Sequence, residues 1–396
     1  MRWMAVEYAS AKFRHMQTHM PNRLGAWSRP TDGASQVWTV TMARVMSSLK
    51  ELLKPLAEDG AALTREQARG ALVAILDGNA SETEAAVLLT ALATRGELAP
   101  ELAGFVEEIR ARATPIPLTE EERQELVDTC GTGGGGPATF NISTGAALVV
   151  AAAGAKVAKH GNRAVTSRCG SADVLEALGV PIALTPELAV ECLRETGFVF
   201  LLATMLHPAM KAVAPLRRAL GFRTIFNLCG PLTNPAHARA QVIGVLAPSR
   251  ALLMARTLVE LQTTRSAFVV HGLDGLDELT LTGESIAVRV DPSAEPAMKA
   301  ARVTPEMAGL PRAAIEELAG GDAEENAAIL YDVVTGIPGP RRDVVLFNAA
   351  AALVAGGHAA DLKEGVARAA EAIDSGMAAV TLQKLRLFGE KYGSRA

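Results

Sequence analysis

Asp128–Gly179 reads DTCGTGGGGPATFNISTGAALVVAAAGAKVAKHGNRAVTSRCGSADVLEALG, and its order of residues constrains both the fold and the kind of ligand. Gly131, Gly133, Gly134, Gly135 and Gly136 follow a short apolar approach, Leu126-Val127. Glycines in series let the backbone take positive φ and turn several N–H groups toward one point, which makes a cradle for anions. Asn141, Ser143 and Thr144 come next, ahead of an apolar, helix-like run from Ala146 to Ala153. That order sets a helix N-terminus, with unpaired N–H groups and the positive end of its dipole, beside the glycine loop. A second apolar approach, Ala155 to Ala158, delivers Lys159, His160, Asn162 and Arg163 together. Each piece alone is ordinary: a loop, a helix cap, a solvated turn. The spacing fits neither the P-loop, which needs a lysine straight after its second glycine, nor G-x-G-x-x-G in a clean βαβ unit. All three pieces in one short stretch imply a ligand with several phosphates.

Composition sets the outer bounds. A chain of 396 residues, 49% hydrophobic, holds one large domain plus a smaller one. Its apolar runs are far shorter than the ~20 residues of a membrane helix, so no membrane partner is expected. The formal net charge is −4 with both signs dispersed, which gives no nucleic-acid footprint. Cys130, Cys169, Cys192 and Cys229 are widely spaced, without a C-x-x-C pair. They read as reduced thiols of a cytoplasmic protein.

Residues 1–45 differ from the rest. They hold Trp3, Trp27 and Trp38, all three tryptophans of the chain, and six basic residues against Glu7 and Asp32. Pro21, Pro30 and Gly33 interrupt them, and they lack the apolar h-region of a signal peptide. The expectation is a disordered extension, or translation that truly begins at Met46. Removing its +4 from the total leaves −8 on the remainder.

From Ser47 to about Ala113 the pattern is helical. Thr64–Gln67 and Ser81–Glu84 both fit the S/T-x-x-E/Q capping box. Apolar residues then recur at three and four spacing: Ala71, Leu72 and Ile75, then Ala86, Leu88, Leu89 and Leu92. Pro115 and Pro117 end the helical run and make a hinge. Beyond them, strand-like runs at Phe198–Leu202, Gln241–Leu246 and Ala267–Val270 alternate with helix-like ones at Val174–Leu178 and Ala251–Leu261. The rhythm is that of an α/β domain with a mainly parallel sheet. The expected division is 46–117 as a small helical domain and 118–396 as a large α/β domain, a middle segment of which packs on the helices.

The blocks GTGG, TFNIST, KHGNR and CGSADVLEALG, in this order, resemble the anthranilate phosphoribosyltransferases of tryptophan biosynthesis. The resemblance continues through HPAMKAVAPLRRALGFRTIFNLCGPLTNPA (207–236), HGLDGLDE (271–278) and LFNAAAALVAGG (346–357), and so covers Met46 to the C-terminus. It implies the two-domain fold shared with nucleoside phosphorylases, with the site between a small helical and a large α/β domain. The implied reaction displaces pyrophosphate from C1 of 5-phosphoribosyl 1-pyrophosphate by the amine of anthranilate. It also implies a homodimer and two Mg²⁺ per subunit.

On the same resemblance, the donor site comprises Gly131, Gly134, Gly135, Thr139, Asn141, Ile142, Ser143, Thr144, Lys159, His160, Gly161, Asn162, Arg163, Ala164, Val165, Thr166, Ser167 and Ser171. Anthranilate falls to Gly131, His160, Asn162 and Arg217, the last in PLRRALG, where a guanidinium suits a carboxylate bidentately. Ser143, Asp277 and Glu278 are the expected metal ligands, and the Asp277-Glu278 pair is expected at the end of a strand. Mg²⁺ prefers such hard oxygen donors together with water and substrate phosphates. An arylamine is already a neutral nucleophile, so no acid–base residue is assigned, and positioning with relief of leaving-group charge carries the rate.

One departure stands out. The family's GTGGD here ends in Gly135, which removes a carboxylate expected near the pyrophosphate and its metals. The expectation is altered metal dependence with activity intact. Two other functions suit parts of the pattern: a pyrimidine nucleoside phosphorylase-like enzyme and a non-catalytic nucleic-acid-binding paralogue. KHGNR, Arg217 and Asp277-Glu278 speak against the first, and the acidic charge against the second.

Overall fold

The computed structural model describes residues 49–133, 136–164 and 168–392. The N-terminal extension with its tryptophans, and the site candidates Gly134, Gly135, Val165, Thr166 and Ser167, lie outside the described residues. The described residues open with four helices: α1 (Leu49–Asp59), α2 (Arg65–Leu76), α3 (Glu82–Arg95) and α4 (Ala99–Ala111). Both capping boxes form. Thr64 accepts from Gln67 N while Gln67 reaches back to Thr64 N, and Ser81 pairs with Glu84 in the same way. Glu101 is fully buried in α4, where its oxygens accept from Leu63 N at 2.9 Å, Leu98 N at 3.0 Å and the Arg95 guanidinium. A buried charge is tolerable only when satisfied in this manner.

The helical run stops at Ala111, ahead of Pro115 and Pro117, and a seven-stranded sheet follows. Its strands are β1 (Leu126–Gly131), β2 (Lys156–Gly161), β3 (Phe198–Leu202), β4 (Ala240–Gly244), β5 (Ser266–Gly272), β6 (Ser285–Val290) and β7 (Met298–Val303). They lie in the order β3-β2-β1-β4-β5-β6-β7. The first five are parallel, while β6 and β7 add on antiparallel. The antiparallel pair is absent from the sequence expectation, and the reason is physical. Met298-Lys299-Ala300-Ala301-Arg302 forms an exposed edge with no apolar alternation to betray it.

Alternate residues of the central strands feed two cores. Val242, Phe268 and Val270 face helices Ile142–Ala152 and Pro340–Gly356. Ile243, Val245, Ala267 and Val269 join Leu72, Leu89, Leu102 and Phe105 of the helical bundle through helix Pro248–Leu261. Val213, Leu216, Ile225 and Phe226 belong to this second core, so residues of the middle of the chain pack with the bundle. Strand order reverses at β1 and β4, whose crossover helices lie on opposite faces. Such a crevice at the carboxyl ends of the strands is where α/β sheets bind ligands.

The bundle's closest approach is at Gly104 of α4, where an added Cβ would lie 2.3 Å from the Arg65 carbonyl oxygen and 2.9 Å from Arg69 N. Backbone cannot yield as a side chain can. Gly104→Ala is therefore expected to cost about 1–3 kcal/mol of overpacking. Denaturant unfolding checks this, and a midpoint equal to that of the parent would show that α2 and α4 slide apart freely.

Candidate active site

Three segments converge at the carboxyl ends of β1, β4 and β5. The first is the end of β1, where Thr132 N donates to Gly244 O at 2.9 Å and Gly133 takes φ +59°. The second is the first turn of helix Ile142–Ala152. Thr129 Oγ1 donates to the Ser143 carbonyl at 3.0 Å and fixes this turn against β1. The third is the loop after β5. Here Asp274 accepts from Leu276 N at 3.1 Å, Thr280 Oγ1 at 2.6 Å and Thr282 Oγ1 at 2.8 Å. Asn348 of helix Pro340–Gly356 holds both backbone groups of Leu279 at 2.9 Å. These bonds turn Asp277 and Glu278 back toward β1. The pair therefore sits in a loop beyond Gly272, where strand β5 stops, instead of at the strand end expected from sequence.

Thr129, Cys130, Gly131, Ser143, Gly244, Glu278 and Asn348 line a shared cavity of about 10 Å³. That is room for roughly one water. Asp277 is packed so closely that a Cβ on Gly131 would meet its Oδ2 at 3.2 Å, and one on Gly244 would meet its carbonyl oxygen at 1.8 Å. Burial raises the Asp277 carboxyl above its usual range. Burial and then the charge of Asp277 raise Glu278, against the lowering effects of the Lys159 ammonium and the Ser143 hydroxyl and N–H. Two crowded carboxylates and a hydroxyl form a site short of positive charge. Among the described residues no three His, Cys, Asp or Glu are set to hold a metal by themselves. The donor set fits Mg²⁺, which keeps waters and takes further ligands from substrate phosphates.

The other expected site residues are spread more widely. Lys159 is buried, and its ammonium donates to the Thr129 carbonyl and, at 3.4 Å, to Thr129 Oγ1. Arg163 is exposed, pairing with Asp173 and Glu176. Asn162 Oδ1 accepts from Arg163 N at 2.9 Å, and Ser171 Oγ donates to the Asn162 carbonyl at 3.3 Å. Ala164 N and Gly170 N both donate to Asp173 at 2.9 Å, which closes this turn over Gly161. Asn141 stands at the N-cap but does not cap. Its amide instead donates to Cys169 O at 3.3 Å and accepts from Asn326 at 2.9 Å. Thr139 forms an isolated bridge with Ala319, Ile142 is buried, and Thr144 Oγ1 is buried without a hydrogen-bond partner. Arg217 lies on helix Ala214–Leu220 with its guanidinium 5.7 Å from the Phe226 ring centroid.

His160 turns inward. Its Nδ1 lies 3.1 Å from the Gly230 carbonyl, which can only accept, so that nitrogen carries the proton. Nε2 then accepts from His207 Nε2 at 3.2 Å, which leaves His207 Nδ1 buried and unpartnered. Burial depresses both rings, His160 to about 3 and His207 to about 4, so both are neutral at physiological pH. His207 and Asn348 carried no chemical signal in sequence, since each works through a partner distant along the chain, while Asp274 works through hydroxyls and an N–H two to eight residues away in its own loop. All four cysteines are free thiols. No described helix is long and apolar enough to cross a membrane.

Residues 50–113 match the helical bundle domain of the glycosyl transferase family, and residues 123–379 match its a/b domain. The anthranilate phosphoribosyltransferase of Moorella thermoacetica is 50% identical over 335 residues, which span 85% of this chain and 97% of that one. The chain belongs to the anthranilate phosphoribosyltransferase family. The Symbiobacterium thermophilum member is 49% identical over 340 residues, 86% of this chain and 97% of its own. Among solved structures, the Thermus thermophilus anthranilate phosphoribosyltransferase superposes with a TM-score of 0.78 at 44% identity, covering 86% of this chain and 98% of its own. The Saccharomyces cerevisiae anthranilate phosphoribosyltransferase in complex with PRPP and Mg gives 0.78 at 28% identity, covering 87% and 98%.

The contact between Gly244 and Asp277 yields a direct test. Gly244→Ala must push the Asp277-Glu278 turn away from β1, because the added methyl has no room beside a carbonyl. The rise in thermal midpoint on adding Mg²⁺ with pyrophosphate should disappear while the circular dichroism of the sheet persists. An undiminished Mg²⁺ response would mean that the turn does not depend on this approach.

Proposed function

We propose that the chain transfers the phosphoribosyl group of 5-phosphoribosyl 1-pyrophosphate to the amine of anthranilate, forming N-(5-phosphoribosyl)anthranilate and pyrophosphate. This is the second step of tryptophan synthesis from chorismate. Within a fold shared with enzymes of that activity, the observation that carries the reading is the convergence of Ser143, Asp277 and Glu278 beside the Gly131 turn. The donor's pyrophosphate would lie over Gly131–Gly133 and the N-terminus of helix Ile142–Ala152, where N–H groups and dipole favour anions. Bound there, Mg²⁺ would neutralise the leaving pyrophosphate, with Ser143, Asp277 and Glu278 as its protein ligands and two ions per subunit.

Asn162 and Arg163, at the end of β2, would meet the donor from the other side. The bond from C1 to the pyrophosphate oxygen breaks, a bond from C1 to nitrogen forms, and the nitrogen gives up one proton to solvent or to the departing pyrophosphate. The amine is neutral before attack, so the chain's task is orientation and charge balance. Arg217 would hold the anthranilate carboxylate, with Gly131, His160 and Asn162 lining the acceptor side. His160 would do so as a neutral ring of fixed tautomer. A homodimer and a cytoplasmic setting belong to the same proposal and rest on the resemblance.

Purified protein supplied with both substrates should form N-(5-phosphoribosyl)anthranilate only with Mg²⁺ or a similar hard cation. Full turnover in excess EDTA would overturn the metal assignment, and no turnover at any Mg²⁺ concentration would overturn the activity. Arg217→Ala should raise KM for anthranilate roughly tenfold or more and leave that for the donor nearly unchanged, as expected for a lost charge-assisted contact of about 1.5–3 kcal/mol. Equal effects on both substrates would place the arginine elsewhere.

A further inference from the structure

A second cavity, of about 50 Å³, lies where the helical bundle meets the α/β domain. The turn between α3 and α4 supplies Glu97, and the segment after helix Ala214–Leu220 supplies Arg223, Thr224 and Asn227. Arg250 enters from the first turn of helix Pro248–Leu261. Thr132 forms the wall nearest the Gly131 turn, yet this cavity shares no lining residue with that of Ser143 and Glu278.

Its polar groups point to an anion. Thr224 is only 3% exposed, and its backbone is occupied: its N–H donates to Asn227 Oδ1 at 3.0 Å and its carbonyl accepts from Asn227 N at 2.9 Å. Among the described residues its hydroxyl, also buried, has no hydrogen-bond partner. A buried hydroxyl left unpaired is costly and calls for a reason. Asn227 keeps its amide N–H groups to donate. Helix Pro248–Leu261 starts at the same place, with Ala247 at its N-cap and no side-chain cap bond, so no side chain answers the positive end of its dipole. Leu246 just before that start and Arg250 just after it both line the cavity. Arg223 and Arg250 stand against one carboxylate, Glu97, which pairs with Arg250. The charge of Arg223 is also felt by Asp277, so Arg250 and the helix start carry more of the attraction.

We propose that this cavity binds one oxyanion of orthophosphate size, separately from the donor site and without metal. Size decides the class. At roughly 10–15 Å³ for each water, the cavity has room for about four, which matches the four oxygens of a phosphate and is too small for pyrophosphate. The Thr224 hydroxyl, the Asn227 amide and the planar fork of Arg250 donate to it. Because its walls come from both domains, the bound anion also ties the bundle to the sheet. The inference goes beyond the transfer reading and does not depend on it.

The test is calorimetric titration of the full chain with inorganic phosphate in the absence of divalent metal. The parent should bind one phosphate, and its thermal midpoint should rise with phosphate concentration. Thr224→Val keeps the shape and removes the hydroxyl, while Arg250→Lys keeps a positive charge beside Glu97 and removes the fork. Each should weaken phosphate roughly tenfold or more, as for a lost bond to a charged group. Asn162→Ala, in the donor site, should leave the affinity unchanged. Without phosphate, Thr224→Val should melt no lower than the parent, since it loses only an unpaired hydroxyl. The proposal is overturned if the parent binds no phosphate, if both cavity variants bind it undiminished, or if Asn162→Ala alone abolishes binding, which would put the anion in the donor site. A Thr224→Val protein that melts well below the parent or fails to fold would show that the hydroxyl already serves the fold, and overturns it too. Pyrophosphate binding as tightly under the same conditions would overturn the size assignment. Product formation is no part of these readouts, so failure of the transfer reading leaves the site standing.

Discussion

Past Val127 and Val157, where the parallel ladder between β1 and β2 stops, buried side chains stand in for the missing backbone partners. Asp128, Asn234 and Lys159 take over the hydrogen bonds that the backbone relinquishes. Burial pushes the Asp128 carboxyl up to about 6, held from rising further by Lys159 and by bonds from Asn234 and His160. Because the folded value lies above the ordinary aspartate range, the ionised form costs stability at neutral pH. That cost is relieved as pH falls through about 6. The arrangement is a cost accepted for geometry. The set lies just behind the ends of both strands, Gly131 closing β1 and Gly161 closing β2 ahead of Asn162 and Arg163.

The site at the end of β1 is assembled by a different means. Ser143 comes from a helix start, Asp277 and Glu278 from a loop, and Asn348 from a helix far along the chain. Two absences of side chain make their meeting possible. Gly131 and Gly244 leave the space into which Asp277 packs, and any Cβ at Gly244 would strike its backbone. The result places two raised carboxylates where cations and phosphates can settle together, a site that is unfavourable by itself and complete only with its ligands.

Much of the local structure is legible along the sequence. Capping boxes at Thr64 and Ser81, the helix after Asn141 and the strand at Phe198–Leu202 all follow from short-range pattern, because the decisive interactions span three or four residues or alternate along one strand. Ser143, Asp277 and Glu278 were legible as candidates through the family resemblance of the blocks that hold them, since an adjacent Asp-Glu pair alone is most often surface charge. Lys159 was legible as a charge near the site but not in its direction, since a lysine facing solvent and one bridging two strands have the same sequence. The acidic loop position lost at Gly135 was legible as well, though its consequence depends on a metal and a substrate that bind together.

By itself, then, the sequence determined a helical bundle followed by a mainly parallel α/β domain, and marked the glycine loop and the Asp277-Glu278 pair as places to look for a site. Each is written in contiguous residues whose physics is local: periodic burial, cap bonds, backbone freedom at glycine. Only the tertiary structure decided that β1 and β2 share ladder bonds at two positions alone, that His160 pairs with His207 and is held neutral, and that Asn348 holds the turn of Asp277 and Glu278. Those outcomes depend on partners 47 to 106 residues apart in the His160–His207, Leu279–Asn348 and Asp128–Asn234 contacts. A buried polar side chain does not reveal in sequence which distant group will satisfy it, because that choice is made when the layers pack.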